Sequence, residues 1–106
     1  ERVDSCVYEE GMITSDEPGI YIEGSHGIRT ENLIVCRKGE KNEYGQFMYF
    51  ETLTCAPIDL DAIDPDLLNA DEKHMLNEYH RFVYDTLSPL MDAEEREWLA
   101  KYTRAI

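Results

Sequence analysis

The chain has 106 residues, enough for one modest core, since folding at this size removes roughly 65% of the unfolded surface. Hydrophobic residues make up 42%, with seven Tyr, three Phe and one Trp, a globular composition that excludes a disordered chain. Ten Lys and Arg against 23 Asp and Glu give a net charge of −13, which repels phosphate backbones and anionic lipid, so neither nucleic acid nor membrane is an expected partner.

Glu1-Arg2-Val3 opens the chain without Met and without a basic-then-apolar leader, which predicts a piece of a longer cytoplasmic protein. Met12-Ile13-Thr14 is a short β-rich run, stopped by the breaker cluster Asp16-Glu17-Pro18-Gly19. Ile20-Tyr21-Ile22 follows, and Glu23 to Gly27 reads as a five-residue hairpin loop. Ile28 to Cys36 predicts a single strand. Its far end, Leu33-Ile34-Val35-Cys36, is apolar on both faces, as in a buried sheet. Arg37 to Gly45 is polar, contains Gly39 and Gly45, and predicts an exposed loop. Gln46 to Cys55 returns to strand chemistry, and Pro57 ends it.

Helix formers dominate from Asp59 onward. Asp64-Pro65 has the form of an N-cap followed by Pro at the first helical position. Asn69 with Glu72 three residues later makes a capping box, opening a helix that runs to about Ser88. Met75, Leu76, Tyr79, Phe82, Val83 and Leu87 fall on one face of it, which is expected to pack on the sheet or on a second copy of the chain. Ser88-Pro89 breaks that helix. Asp92 and Glu95 then repeat the cap signal before a last helix carrying Trp98, Leu99 and Tyr102. The expected fold class is α+β: a partial antiparallel sheet over residues 1–58, then two or three helices over 59–106. Cys6, Cys36 and Cys55 lack metal-ribbon spacing and leave an odd one out, which predicts reduced, structural thiols.

The most informative pair is Glu17 and Glu31. A hairpin centred on residue 24 sets them opposite one another, and two facing carboxylates repel unless a cation or a proton lies between them. Hard oxygen donors of this kind suit Mn²⁺, Mg²⁺, Zn²⁺ or Ca²⁺, and one carboxylate can bridge two ions. Solvated hairpin charges are the plain alternative in so acidic a chain. Arg29, two residues before Glu31 on the same strand face, has the forked donors to hold a carboxylate or a substrate carbonyl; a surface ion pair is its alternative. His26, near the hairpin tip, is expected close to both acids. His74 and His80 are six residues apart and make no helical metal pair.

At these residues the chain resembles a known family. Met12-Ile13-Thr14-Ser15-Asp16-Glu17-Pro18-Gly19-Ile20-Tyr21, followed by Gly27-Ile28-Arg29-Thr30-Glu31-Asn32, resembles the end of the catalytic domain of Xaa-Pro aminopeptidase, a pita-bread-fold dinuclear metallopeptidase. Phe50-Glu51-Thr52-Leu53-Thr54 with Ala56-Pro57-Ile58-Asp59, then Leu76-Asn77-Glu78-Tyr79-His80 and Trp98-Leu99, resembles the C-terminal extension of its longer members.

The resemblance implies that residues 1–58 are closing strands of the catalytic domain and 59–106 a helical extension. It implies that Glu17 is a metal ligand that also assists proton transfer, that Glu31 bridges two divalent ions (Mn²⁺, with Zn²⁺ as the alternative), and that Arg29 supports the site by hydrogen bonding. The implied reaction is attack of an activated water on the carbonyl before proline, with peptides bearing proline in second position as substrates and a homo-oligomer as the assembly. Thr30 stands where Ile or Val is commoner in the family. The family's two aspartate ligands and its histidine ligand have no counterpart here, so the isolated chain is expected to hold no metal tightly and to be inactive. The runner-up reading is a non-enzymatic pita-bread-like module that binds a peptide or protein.

Overall fold

The computed structural model describes residues 3–106, so the first two residues of the expected 1–58 segment lie outside it. In chain order the strands are β1 (Ile13–Asp16), β2 (Gly19–Ile22), β3 (His26–Arg29), β4 (Asn32–Asn42) and β5 (Gly45–Thr52). They form a three-stranded sheet ordered β1-β4-β5 and a two-stranded ladder, β2-β3. Two helices follow, α1 (Ala70–Leu87) and α2 (Ala93–Tyr102). The fold class is α+β, as expected.

One register, centred on Gly24, runs through both ladders. Gly24 takes a φ of 71°, which glycine adopts without strain, and the Ser25 N–H closes the turn on the Ile22 carbonyl at 3.1 Å. Ile22 pairs with His26 and Gly19 with Arg29; farther out, Asp16 pairs with Asn32 and Ile13 with Val35. The loop is therefore Glu23-Gly24-Ser25, shorter than expected, because Gly24 alone supplies the positive φ that a tight turn needs. Between the ladders, Glu17-Pro18 faces Thr30-Glu31, and the Thr30 N–H donates to the Pro18 carbonyl at 3.2 Å. Pro18 has no N–H to give, and a continuous ladder would set like charges directly opposite. The single strand expected over 28–36 is thus two strands in two sheets.

The polar stretch 37–45 is also strand rather than loop. β4 continues to Asn42 and turns at Glu43-Tyr44, with the Asn42 side-chain oxygen accepting the Tyr44 N–H at 3.0 Å. Both faces of β4 are exposed here, so no apolar alternation marks it; an irregularity between Lys38 and Lys41 breaks the period further. At its other end β4 buries Val35 and Cys36 on opposite faces, as a strand apolar on both sides should.

Residues up to Thr54 form one compact unit and Cys55–Ile106 a second. In the second, the caps fall where the sequence places them. Asn69 and Glu72 exchange side-chain and backbone bonds at the start of α1, and Asp92 and Glu95 do the same for α2. Asp64 caps a short 3-10 turn, Pro65–Leu67. The buried set is Leu60, His80, Val83 and Leu99. Met75 and Phe82, on the face expected to pack, are 71% and 46% exposed, because α1 turns its 80/83 stripe to the interior and leaves its 75/82 stripe on the flank. At the end of the chain, Asn77 holds the Ile106 backbone through two bonds, accepting its N–H at 2.9 Å and donating to its carbonyl at 3.1 Å.

Candidate functional site

Strand alternation gives the β2-β3 ladder two chemically distinct faces. Ile20, Ile22, His26 and Ile28 line one, bordering an apolar hollow that Pro18 and Thr30 complete. Tyr21 and Arg29 lie on the other, across from Gly27 and Gly19. Arg29 gathers both predicted ligands there. Its Nε donates to Glu31 Oε2 at 2.9 Å and stands 3.7 Å from Glu17 Oε2. Ser15 donates to the other oxygen of Glu17 at 2.5 Å. The shared register and strand alternation account for this convergence: Glu17 faces Glu31, and Arg29 lies two residues before Glu31 on the same face.

Glu17, Arg29 and Glu31 are thus brought together, whereas His26 is not. Placed in β3 opposite Ile22, it belongs to the isoleucine face, its Nδ1 2.8 Å from the Ser25 hydroxyl. Tyr21 is the residue that sequence reasoning missed. A Cβ on Gly19 would come within 2.7 Å of the Tyr21 hydroxyl, and one on Gly27 within 2.7 Å of its Cδ1. The ring therefore lies flat along both glycines and delivers its hydroxyl to Arg29. That hydrogen bond, then the Glu31 carboxylate, then Glu17, hold the Arg29 guanidinium above its ordinary pKa, so it is cationic throughout the biological range. The signal was available in the sequence: an aromatic residue two after one glycine and register-paired with another.

Gly27→Ala follows directly as a test of this packing. The new methyl overlaps the body of the ring rather than a flexible tip, so Tyr21 must leave its place over the strands. We expect a loss of about 1–3 kcal/mol in the stability of the strand unit. Thermal melts read by tyrosine fluorescence check it; an unchanged midpoint would mean the ring does not rest there.

Two carboxylates on one face are hard, anionic oxygen donors, the chemistry that Mn²⁺ or Mg²⁺ accepts. They do not close a site by themselves. Among the described residues, no group of three or more His, Cys, Asp or Glu side chains converges as a metal cage would require. The chemistry of the two carboxylates fits part of a divalent-metal site.

The family model described as the C-terminal region of peptidase M24 matches residues 46–106. The chain belongs to this family. Similar proteins extend the likeness over the hairpin as well. An uncharacterized peptidase of Schizosaccharomyces pombe is 39% identical over the whole of this chain, which covers 18% of that relative. Aminopeptidase P1 of Lotus japonicus is 40% identical over 92% of this chain and 16% of its own length. Among solved structures, an X-prolyl aminopeptidase from Caenorhabditis elegans, described as a cytosolic enzyme with a di-nuclear active site, superposes with a TM-score of 0.76 at 28% identity. That match covers 93% of this chain and 17% of that one. The chain thus spans less than a fifth of the length of these relatives. No helix among the described residues is long and apolar enough to cross a membrane.

Proposed function

We propose that this chain is the C-terminal part of a cytoplasmic, metal-dependent aminopeptidase that releases an N-terminal residue preceding proline. The observation that carries the proposal is the convergence of Glu17 and Glu31 on Arg29 at the break in the hairpin, within a chain of the peptidase M24 family. Residues 1–58 serve as closing strands of the catalytic domain and 59–106 as its helical extension, which supports assembly of identical subunits.

Glu17 and Glu31 would hold a pair of divalent ions, Mn²⁺ in first place and Zn²⁺ in second; such ions, when bound, supply Lewis acidity and a nucleophile available at neutral pH. The chain's own residues do the rest. Glu31 would supply a negatively charged carboxylate to the ions. Glu17 would supply a ligand oxygen and exchange a proton with the attacking water, its other oxygen held by Ser15. Arg29 orients Glu31 by charge-assisted hydrogen bonding, and Tyr21 keeps the guanidinium on this face. Retention of both carboxylates and their orienting arginine favours the enzyme over a binding module that has lost them.

The isolated chain tests the ligand count. Two carboxylates without a cage are expected to bind Mn²⁺ no more tightly than about millimolar, the weak end for oxygen-ligand sites, and to leave a proline peptide uncleaved. Calorimetric titration with Mn²⁺, paired with a peptide assay, measures both. Micromolar binding or turnover by the 106-residue chain would show that the missing ligands lie within it and would sink the partial-site reading.

A further inference from the structure

His80 is fully buried in the helical unit, yet the mechanism above has no use for it. Its Nε2 accepts the Ile58 N–H at 3.0 Å. An acceptor at Nε2 fixes the ring as neutral, with its proton on Nδ1. Nδ1 is itself buried and has no partner in hydrogen-bonding geometry, although the Arg104 backbone faces the ring. The preceding helical residue grips the same segment differently: the Tyr79 hydroxyl donates to the Ala56 carbonyl at 2.8 Å. Two adjacent side chains of α1 thus hold neighbouring peptide groups of one irregular stretch, residues 55–59, which leads into the 3-10 turn Leu60–Ala62 and its buried Leu60.

We propose that His80 is an acid-released latch, holding residues 55–59 to α1 when neutral and letting the segment go when protonated. Protonation places a hydrogen on Nε2, so a donor meets the Ile58 donor and that bond is lost. No compensating charge is at hand. The charged side chain facing His80 from the C-terminal segment is the Arg104 guanidinium, which opposes a second positive charge and is engaged with Asp61 at 3.1 Å. From residues 55–59 the facing group is the Ile58 amide, and from α1 itself the neighbouring Tyr79 ring, 5.8 Å away between centroids. Burial, with the Arg104 charge adding to it, holds the His80 imidazole below its ordinary pKa in the latched state. In the released state the ring regains an ordinary value near 6.5. The released state therefore binds the proton more tightly. Latching is complete above about pH 6.5 and weakens below it by up to tenfold per pH unit, until the lower, latched value is passed.

Amide hydrogen exchange on the 106-residue chain tests this. Between pH 7.5 and 5.5, after correction for the intrinsic pH dependence of exchange, protection of the Ile58 amide should fall, by at most about tenfold. Protection of Thr103, whose N–H is bonded to the Leu99 carbonyl within the same unit, should hold. In His80→Gln, whose side-chain oxygen can accept the same N–H without titrating, the fall at Ile58 should vanish. Unchanged Ile58 protection in the wild-type chain would overturn the latch. So would an equal loss at Thr103, which means whole-unit unfolding, or acid lability that survives in His80→Gln. Should His80→Gln fail to fold, the wild-type comparison of Ile58 with Thr103 decides alone.

Discussion

Glu31→Gln, introduced into the full-length enzyme proposed to carry this chain, is expected to remove nearly all turnover of an Xaa-Pro peptide. The amide keeps the size and one oxygen of the side chain but deletes the negative charge that both ions would share. Arg29, whose Nε now donates to that carboxylate at 2.9 Å, would face a neutral group and the bond would weaken. Glu17→Gln should be comparably harmful, because ligation and proton exchange are lost together; the proton-exchange part alone is typically worth ~10²–10⁴-fold. Glu23→Gln, at the hairpin tip, is the matched control and should leave turnover as it is. Steady-state kinetics with metal content measured on the same samples separate the possibilities. Near-wild-type kcat at full metal occupancy in either variant would refute the assignment.

The largest stability effect should come from Leu99→Ala. Leu99 has no exposed surface, it shares its unit with only a few other buried side chains, and removing its branched end leaves a hole its neighbours cannot fill. We expect a loss of about 2–5 kcal/mol, comparable to the whole stability of a small unit, so the helical signal should melt near or below 37 °C. Phe82→Ala is the counter-example. Nearly half of Phe82 stays wet, and its loss should cost about 1 kcal/mol. Circular dichroism during urea unfolding ranks the two. A larger effect at Phe82 than at Leu99 would show that the inward face of α1 is the other one.

That contrast marks where the sequence was legible and where it was not. Local chemistry was readable: Gly24 fixes the centre of the hairpin, so the opposition of Glu17 and Glu31 follows by counting, and Asn69–Glu72 and Asp92–Glu95 announce their helices. The phase of α1 was legible only in part: Val83 is buried and Leu76, Tyr79 and Leu87 are partly covered as expected, whereas Met75 and Phe82 stay on the flank. Counting apolar residues rewards Met75 and Phe82, but the interior receives His80, a residue no hydrophobic pattern selects. It is admitted because the Ile58 amide, 22 positions earlier, gives its ring nitrogen a partner. β4 was misread for a related reason. Its second half is wet on both faces, so Arg37 to Asn42 follow the pairing of β5 rather than any pattern of their own. In the site, the grouping of Glu17, Arg29 and Glu31 was accessible from register and type, whereas the face taken by the exposed His26 was not, because proximity along a hairpin says nothing about face until the loop length is known.

The start of the family match carries a consequence for recombining these proteins. The matched region begins at residue 46, inside β5, nine residues ahead of the boundary between the two units after Thr54. A chimaera exchanging 46–106 between two relatives would import an edge strand along with the helices. That foreign strand would have to meet β4 in register, accommodate the irregularity between Lys38 and Lys41, and offer Arg37 a carboxylate where Glu51 now sits at 2.7 Å. A junction placed after Thr54 exchanges the helices alone and leaves every strand with its native neighbour.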